Sequence, residues 1–284
     1  MTALLKRNLK IFFRDKAAVF FSLLAVIIVI GLYVLFIGDM VQQGMENVSG
    51  ARFLMDRWMV AGLLAVSSAT TTLGAFGVMV DDRQKKLLKD FSASPLKRSS
   101  LAAGYVLSAY TVGVIMSVIT FILGQLYIVL SGGQFLSFIE TVKVLACIFL
   151  SVLASSAMVF FMVSFMSSQN AFATASSVIG TIIGFLTGVY MPIGILPAPV
   201  RFVVKVFPVS HAGVLFRQIM MERPMADSFA GAPAELVNSF KTDQGVVFKY
   251  GSVTGNWMLS ALVLVATAVL FYVLAILNIS RKRK

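Results

Sequence analysis

Six stretches of this sequence run for 22 to 30 residues without a single Asp, Glu, Lys, Arg or His: 17–38, 58–80, 101–130, 144–166, 171–196 and 257–279. About 20 mainly apolar residues are enough to carry a helix across the hydrocarbon core of a bilayer. Long charge-free apolar runs of this length read as spanning helices. The expected fold is therefore an all-α membrane protein with six transmembrane helices. Composition agrees, with 13% charged residues against about 25% in an ordinary soluble domain.

The formal charge of +12 would suit a nucleic-acid partner if it were spread over one surface, but its distribution follows topology. Six spans put both ends on one side. On that side lie 15 of the 24 basic residues and four of the 12 acids, so it carries +11 of the +12. Lysine and arginine accumulate in cytoplasmic loops. Both termini are thus expected inside, in a multi-pass inner (plasma) membrane protein of bacterial type, with no nucleic acid bound. Trp58 and Trp257 fall at the outer ends of spans, with Tyr33, Tyr127 and Tyr190 near the same boundary, as an interfacial aromatic belt requires.

Residues 1–16 place Leu5, Leu9, Phe12 and Phe13 on one helical face and Lys6, Arg7, Lys10 and Arg14 on the other. This is the pattern of a helix lying in the membrane interface against anionic headgroups. The apolar run after it is too long for a signal peptide and is not closed by small residues, so it reads as a retained first span. A basic tail, 281–284, closes the chain. Cys147 is the only cysteine, which rules out an intramolecular disulfide and reads as a small apolar residue within a helix.

The inner loop 81–100, DDRQKKLLKDFSASPLKRSS, opens as a short amphipathic helix over 81–91. Leu87, Leu88 and Phe91 are apolar, Arg83, Lys85, Lys86 and Lys89 basic, and Asp81 and Asp82 stand where acids favour a helix N-terminus. The apolar residues favour a docking helix over a plainly solvated loop. Residues 197–256 form the largest outer segment. Pro192, Pro197 and Pro199 end the fifth span, and Pro208 divides the stretch beyond them into two short apolar helices, the second with Ser210 as candidate cap. Such pieces are too brief to span and too apolar for open water, so a re-entrant pair is expected. His211, the only histidine, has no acid–base or metal-ligating neighbour in sequence. Residues 227–250 read as an exposed outer loop.

Two small-residue patterns stand inside spans. Gly180, Gly184 and Gly188 recur every four residues and would let a second helix approach closely, within the chain or across a dimer. Ser67, Ser68, Thr70, Thr71 and Thr72 in the second span either line a pathway or bond back to their own helix. No GxxxxGK[ST], GxSxG or HExxH occurs. The chain has no means of cradling ATP phosphates and is not expected to be an enzyme by itself, to bind a cofactor or to hold a metal.

In this order the features resemble the permease subunit of type-2 ABC transporters (the ABC-2 family). The family's first inner loop ends in a Ser-Pro-hydrophobic-basic pattern, matched here by Ser94-Pro95-Leu96-Lys97-Arg98 with Leu101 and Gly104 beyond. Its re-entrant pair follows a G-x-x-x-P-x-x-x-L-P pattern, matched by Gly188, Pro192, Leu196 and Pro197, with Pro208 and Arg217 further on. Where many relatives carry an acidic residue and a glycine-threonine pair in the inner helix, this chain has Arg83, Lys85 and Lys86.

The resemblance implies an amphipathic N-terminal helix, six spans and a re-entrant pair before the sixth. It implies that Asp81, Asp82, Arg83, Leu87, Leu88 and Phe91 form a coupling helix seated in an ABC ATPase, two copies of which would carry ATP and Mg. A second permease, identical or homologous, would pair through the first and fifth spans. Pro192, Pro197, Pro208, His211 and Arg217 would belong to the outer gate. Spans rich in hydroxyls, methionines and aromatics suit a lipophilic or amphipathic cargo: a drug, an antimicrobial peptide or a lipid-linked glycan. A secondary carrier or channel is the competing reading, weakened by the absence of ionisable groups within the runs. A non-transporting membrane scaffold is weakened by the docking loop and re-entrant pair.

Overall fold

A computed structural model describes residues 2–37, 50–87, 98–251 and 253–281. Leu88, Phe91 and the Ser94–Lys97 pattern lie outside the described residues, as does the tail beyond Arg281. The fold is all-α. Its helices are α1 (Thr2–Arg14), α2 (Lys16–Leu32), α3 (Ala51–Gln84), α4 (Arg98–Leu130), α5 (Phe138–Ser164), α6 (Gln169–Leu186), α7 (Ala198–Val206), α8 (Pro208–Met220), α9 (Glu222–Ser228), α10 (Ala234–Asp243) and α11 (Trp257–Arg281). A two-residue antiparallel ladder pairs Lys249 with Thr254 and Tyr250 with Val253. Among the described residues six helices are long and apolar enough to cross a membrane: α2, α3, α4, α5, α6 and α11.

α3 is the axle of the bundle. It is buried along most of the stretch from Ala51 to Asp82, with α2, α4, α5, α6 and α8 packed around it. Lipid tails are as apolar as leucine, so these contacts rest on close packing and hydrogen bonds rather than on exclusion of water. Gly113 of α4 shows how close the approach is. A Cβ there would stand 2.5 Å from Thr72 Oγ1 and 2.7 Å from Val152 Cγ1, so only glycine lets α3, α4 and α5 meet. Around this point Ser67 Oγ and Thr120 Oγ1 are 2.8 Å apart and Ser68 Oγ and Ser151 Oγ 2.6 Å apart. Thr71 and Thr72 donate to the carbonyls of Ser67 and Ser68.

Several boundaries differ from those read in the sequence, each for a physical reason. α3 begins seven residues before Trp58 and takes in Asp56 and Arg57. Asp56 accepts from Tyr127 Oη at 2.8 Å, and Arg57 donates to the carbonyls of Met220 and Gln134, each at 3.1 Å. These partners, remote in sequence, let charge enter a buried helix. At its far end α3 runs on through Asp81–Gln84 and stops at Lys86, whose φ of 61° breaks the helix. Asp81 and Asp82 therefore sit in a C-terminal turn, not at the N-terminus of a separate helix. α6 ends at Leu186 rather than Leu196, because Gly188 takes φ 69°, a left-handed turn that favours glycine. α5 starts earlier than expected, at a capping box of Ser137 and Glu140. Residues 227–250 are not wholly loop: they hold α10, which has no buried residue, and the first strand of the hairpin.

α7 and α8 form the bent pair, 84° apart at Phe207. Pro208 occupies the first turn of α8, where its missing N–H costs nothing. Ser210 is not the cap of α8. Its hydroxyl donates to Leu186 O at 2.7 Å and so closes the C-terminus of α6.

Candidate functional site

Each end of α3 carries a buried carboxylate, Asp56 at one and Asp82 at the other. Asp56 and Asp82 are 26 residues apart, about 39 Å along a helix rising 1.5 Å per residue. A hydrocarbon core is about 30 Å thick, so both lie at its margins rather than its midplane.

At the α1 end the focus is Asp82, 2% exposed. Arg7 of α1 donates to both its oxygens, at 2.6 and 2.7 Å, and Tyr105 Oη of α4 donates to Oδ2 at 2.6 Å. The hydrogen bonds from Arg7 to this carboxylate raise the arginine's pKa further above its ordinary value. Asn8 extends the network, accepting from Arg7 and donating to Ser108 Oγ at 3.1 Å. α1 thus docks through a Leu4, Asn8, Phe12 stripe, a turn-spaced line that keeps Phe12 of the Leu5, Leu9, Phe12, Phe13 face suggested by the helical wheel but is offset from the other three. Lys6, Lys10 and Arg14 remain exposed.

Arg83 points to the other side. It donates to the carbonyls of Val163 (3.0 Å), Ser164 (3.4 Å) and Met166 (2.5 Å), at and just beyond the C-terminus of α5. A cation there also meets the negative end of the helix dipole. Asn278 of α11 donates to Ser164 Oγ, and Gln84 Oε1 accepts from the Gln169 N–H at the start of α6. The last turn of α3 is therefore fastened to α1, α4, α5 and α6. Asp81, by contrast, faces solvent with Lys85 at 2.7 Å, and Leu87 lies at the rim of a cleft shared with Arg7, Ile11 and Gly74.

At the opposite end the bent pair covers α3. Arg217 of α8 has no exposed surface. It donates to Gly188 O at 3.1 Å and lies 4.9 Å from the centre of the Trp58 ring. Trp58 Nε1 in turn donates to Gln244 O at 2.7 Å. His211 stands 3.1 Å from Ser260 Oγ through Nδ1 and 2.9 Å from Lys205 O through Nε2, with Phe248 edge-on at 5.3 Å. The ring ties α8 to α11 and to the end of α7. Pro192 opens the short 3₁₀ turn Ile193–Ile195 and Pro197 opens α7.

The other residues singled out in the sequence separate here. Ser67, Ser68 and Thr71 are buried inside the bundle, with their hydroxyls engaged by Thr120, Ser151 and their own helix. Of the glycine stripe, Gly180 faces open space, Gly184 adjoins the Tyr190 ring and Gly188 makes the turn. α6 shows Val178, Ile182 and Phe185 outwards, and α2 shows Phe20, Phe21, Ile27 and Ile28. Among the described residues no three His, Cys, Asp or Glu side chains converge as metal ligands. Sequence reasoning missed Arg7, Tyr105 and Trp58 as partners of its chosen residues. Each pairing joins positions 23 to 159 residues apart, and only the low number of charges near span ends hinted at them.

Comparison with known proteins agrees with this geometry. No curated protein matches the chain. The model of the ABC-2 family transporter proteins matches residues 42–277, which takes in everything from α3 to the body of α11. Permeases of that family are generally non-catalytic membrane subunits that associate with an ABC ATPase. The chain belongs to the ABC-2 transporter family and is the multi-pass membrane permease of an ABC transporter.

Proposed function

We propose that this permease moves a lipophilic or amphipathic molecule (a drug, an antimicrobial peptide or a lipid-linked glycan) out of the cytoplasm or inner leaflet, driven by two ATPase subunits that carry ATP and Mg. Both termini and the 81–100 segment face the cytoplasm of a bacterial cell, and α7–α10 face outwards. Two permeases, identical or homologous, pair through α2 and α6. The apolar residues that these two helices leave outward, and the open space over Gly180, support that pairing.

The observation that carries this reading is the fastening of the last turn of α3. A push delivered to residues 85–97 acts on Asp82 and Arg83. Through them it reaches α1 and α4 by one charged network and α5 by another. Rigid elements joined by charged hydrogen bonds move together. The ATPase stroke would therefore tilt α3 with its neighbours, and the far end of α3 would shift beneath the bent pair. Asp81, Leu87, Leu88 and Phe91 form the docking surface. Asp82 and Arg83 act behind it, as the linkage.

The test is co-purification with a candidate ABC ATPase partner, before and after Leu87→Asp with Leu88→Asp. Loss of the complex, with the permease still folded, is expected. An intact complex that still transports would refute the docking surface.

A further inference from the structure

Arg217 has hydrogen-bonding capacity that its surroundings do not use. A guanidinium carries five N–H donors and cannot lose its charge in a protein. Among the described residues only Nη2 has an acceptor, Gly188 O, while Nε and Nη1 are buried with no partner. No ion pair reaches it among the described residues. Leaving a buried charged donor unmatched is costly, and an ionisable group inside a membrane protein marks a functional site by default. The neighbourhood has also kept side chains away. A Cβ on Gly62 would stand 3.2 Å from Nη2, and one on Gly245 3.1 Å from Nη1. Trp58 supplies an aromatic face on which a cation rests without being neutralised.

We infer that Arg217 is an oxyanion-binding subsite at the outer end of the path, taking the phosphate or carboxylate group of an amphipathic cargo. This rests on the proposed export function and narrows its cargo to anionic amphiphiles. Its position in α8 gives the subsite a gate. Lifting the bent pair parts Arg217 from Gly188 O and opens Nε and Nη1 to the cargo. An arriving oxyanion then supplies the acceptors that the closed arrangement lacks. Binding and opening thus favour one another.

The experiment needs no ATPase, so its failure is separable from failure of the transport reading. The purified permease carries Trp257→Phe, which leaves Trp58, beside Arg217, as the sole tryptophan. Its fluorescence is titrated with dodecyl phosphate, dodecyltrimethylammonium and inorganic phosphate. Saturable change with dodecyl phosphate, at least tenfold tighter than with the ammonium amphiphile, is expected. Arg217→Gln should abolish that preference, and Arg217→Lys should retain part of it. Saturation by inorganic phosphate alone at equal affinity would overturn the amphiphile assignment. Equal response to both amphiphiles in the unsubstituted Arg217 protein would overturn the subsite, whether or not the variants fold.

Discussion

Removing Arg7 should damage this permease more than removing the carboxylate it holds. Asp82 is 2% exposed and Arg7 33% exposed, so the two ends of one ion pair leave different remainders. In Asp82→Asn the arginine loses two charge-assisted hydrogen bonds but can turn to water. The loss is about 2–3 kcal/mol after that compensation. In Arg7→Met the carboxylate stays buried, with Tyr105 the one remaining donor to it among the described residues. An uncompensated buried charge costs about 3–5 kcal/mol. At about 2–4 °C per kcal/mol, the unfolding midpoints should fall by about 4–12 °C and about 6–20 °C respectively. Cys147, the only cysteine, is buried in α5, so a maleimide dye that fluoresces on thiol addition reads the midpoint directly. The double variant should cost about 2 kcal/mol less than the sum of the two, since the second change removes the charge stranded by the first. Strict additivity, or a smaller loss for Arg7→Met than for Asp82→Asn, would refute the network as the bond between α1 and α3.

Three further outcomes are expected from the packing. Gly113→Ala forces a methyl group against Thr72 and Val152 and should cost about 1–3 kcal/mol; Val152→Ala should recover part of that in the same thiol assay. Gly188→Ala asks an L side chain to hold φ 69° and should cost about 1–2 kcal/mol, whereas Gly180→Ala, facing open space, should leave the monomer unchanged and weaken pairing, as read by cross-linking. Arg83→Gln frees the α5 carbonyls from their charged donor and should cost about 2 kcal/mol. With the ATPase still bound, cargo should then stimulate ATP hydrolysis less than in the unaltered complex.

The spans were legible because absence of charge over 22 or more residues has one structural solution in lipid. What stayed hidden was where charge is tolerated. Asp56, Arg57 and Asp82 look like loop residues until Tyr127, Met220 O and Arg7 are known to stand opposite them. The bent pair was readable from Pro192, Pro197 and Pro208, since proline breaks a helix wherever the chain goes next. The early end of α6 was not, because Gly188 reads equally well as one more member of a four-residue stripe. Arg217 was marked by its place in a motif, yet nothing local to it showed that it would be buried and largely unpaired. The hydroxyls of Ser67 and Ser68 suggested a pathway or self-bonding, and nothing in the sequence pointed to Thr120 and Ser151 as their hydrogen-bond partners.

The energy source is the most direct test of the proposed export. Inside-out vesicles holding this permease and its ATPase are loaded externally with a fluorescent amphiphile, and uptake is followed with ATP or with an imposed ion gradient. Uptake that requires ATP, persists when proton and sodium gradients are collapsed, and is lost in Leu87→Asp with Leu88→Asp is the predicted result. Uptake driven by an ion gradient without ATP would contradict it.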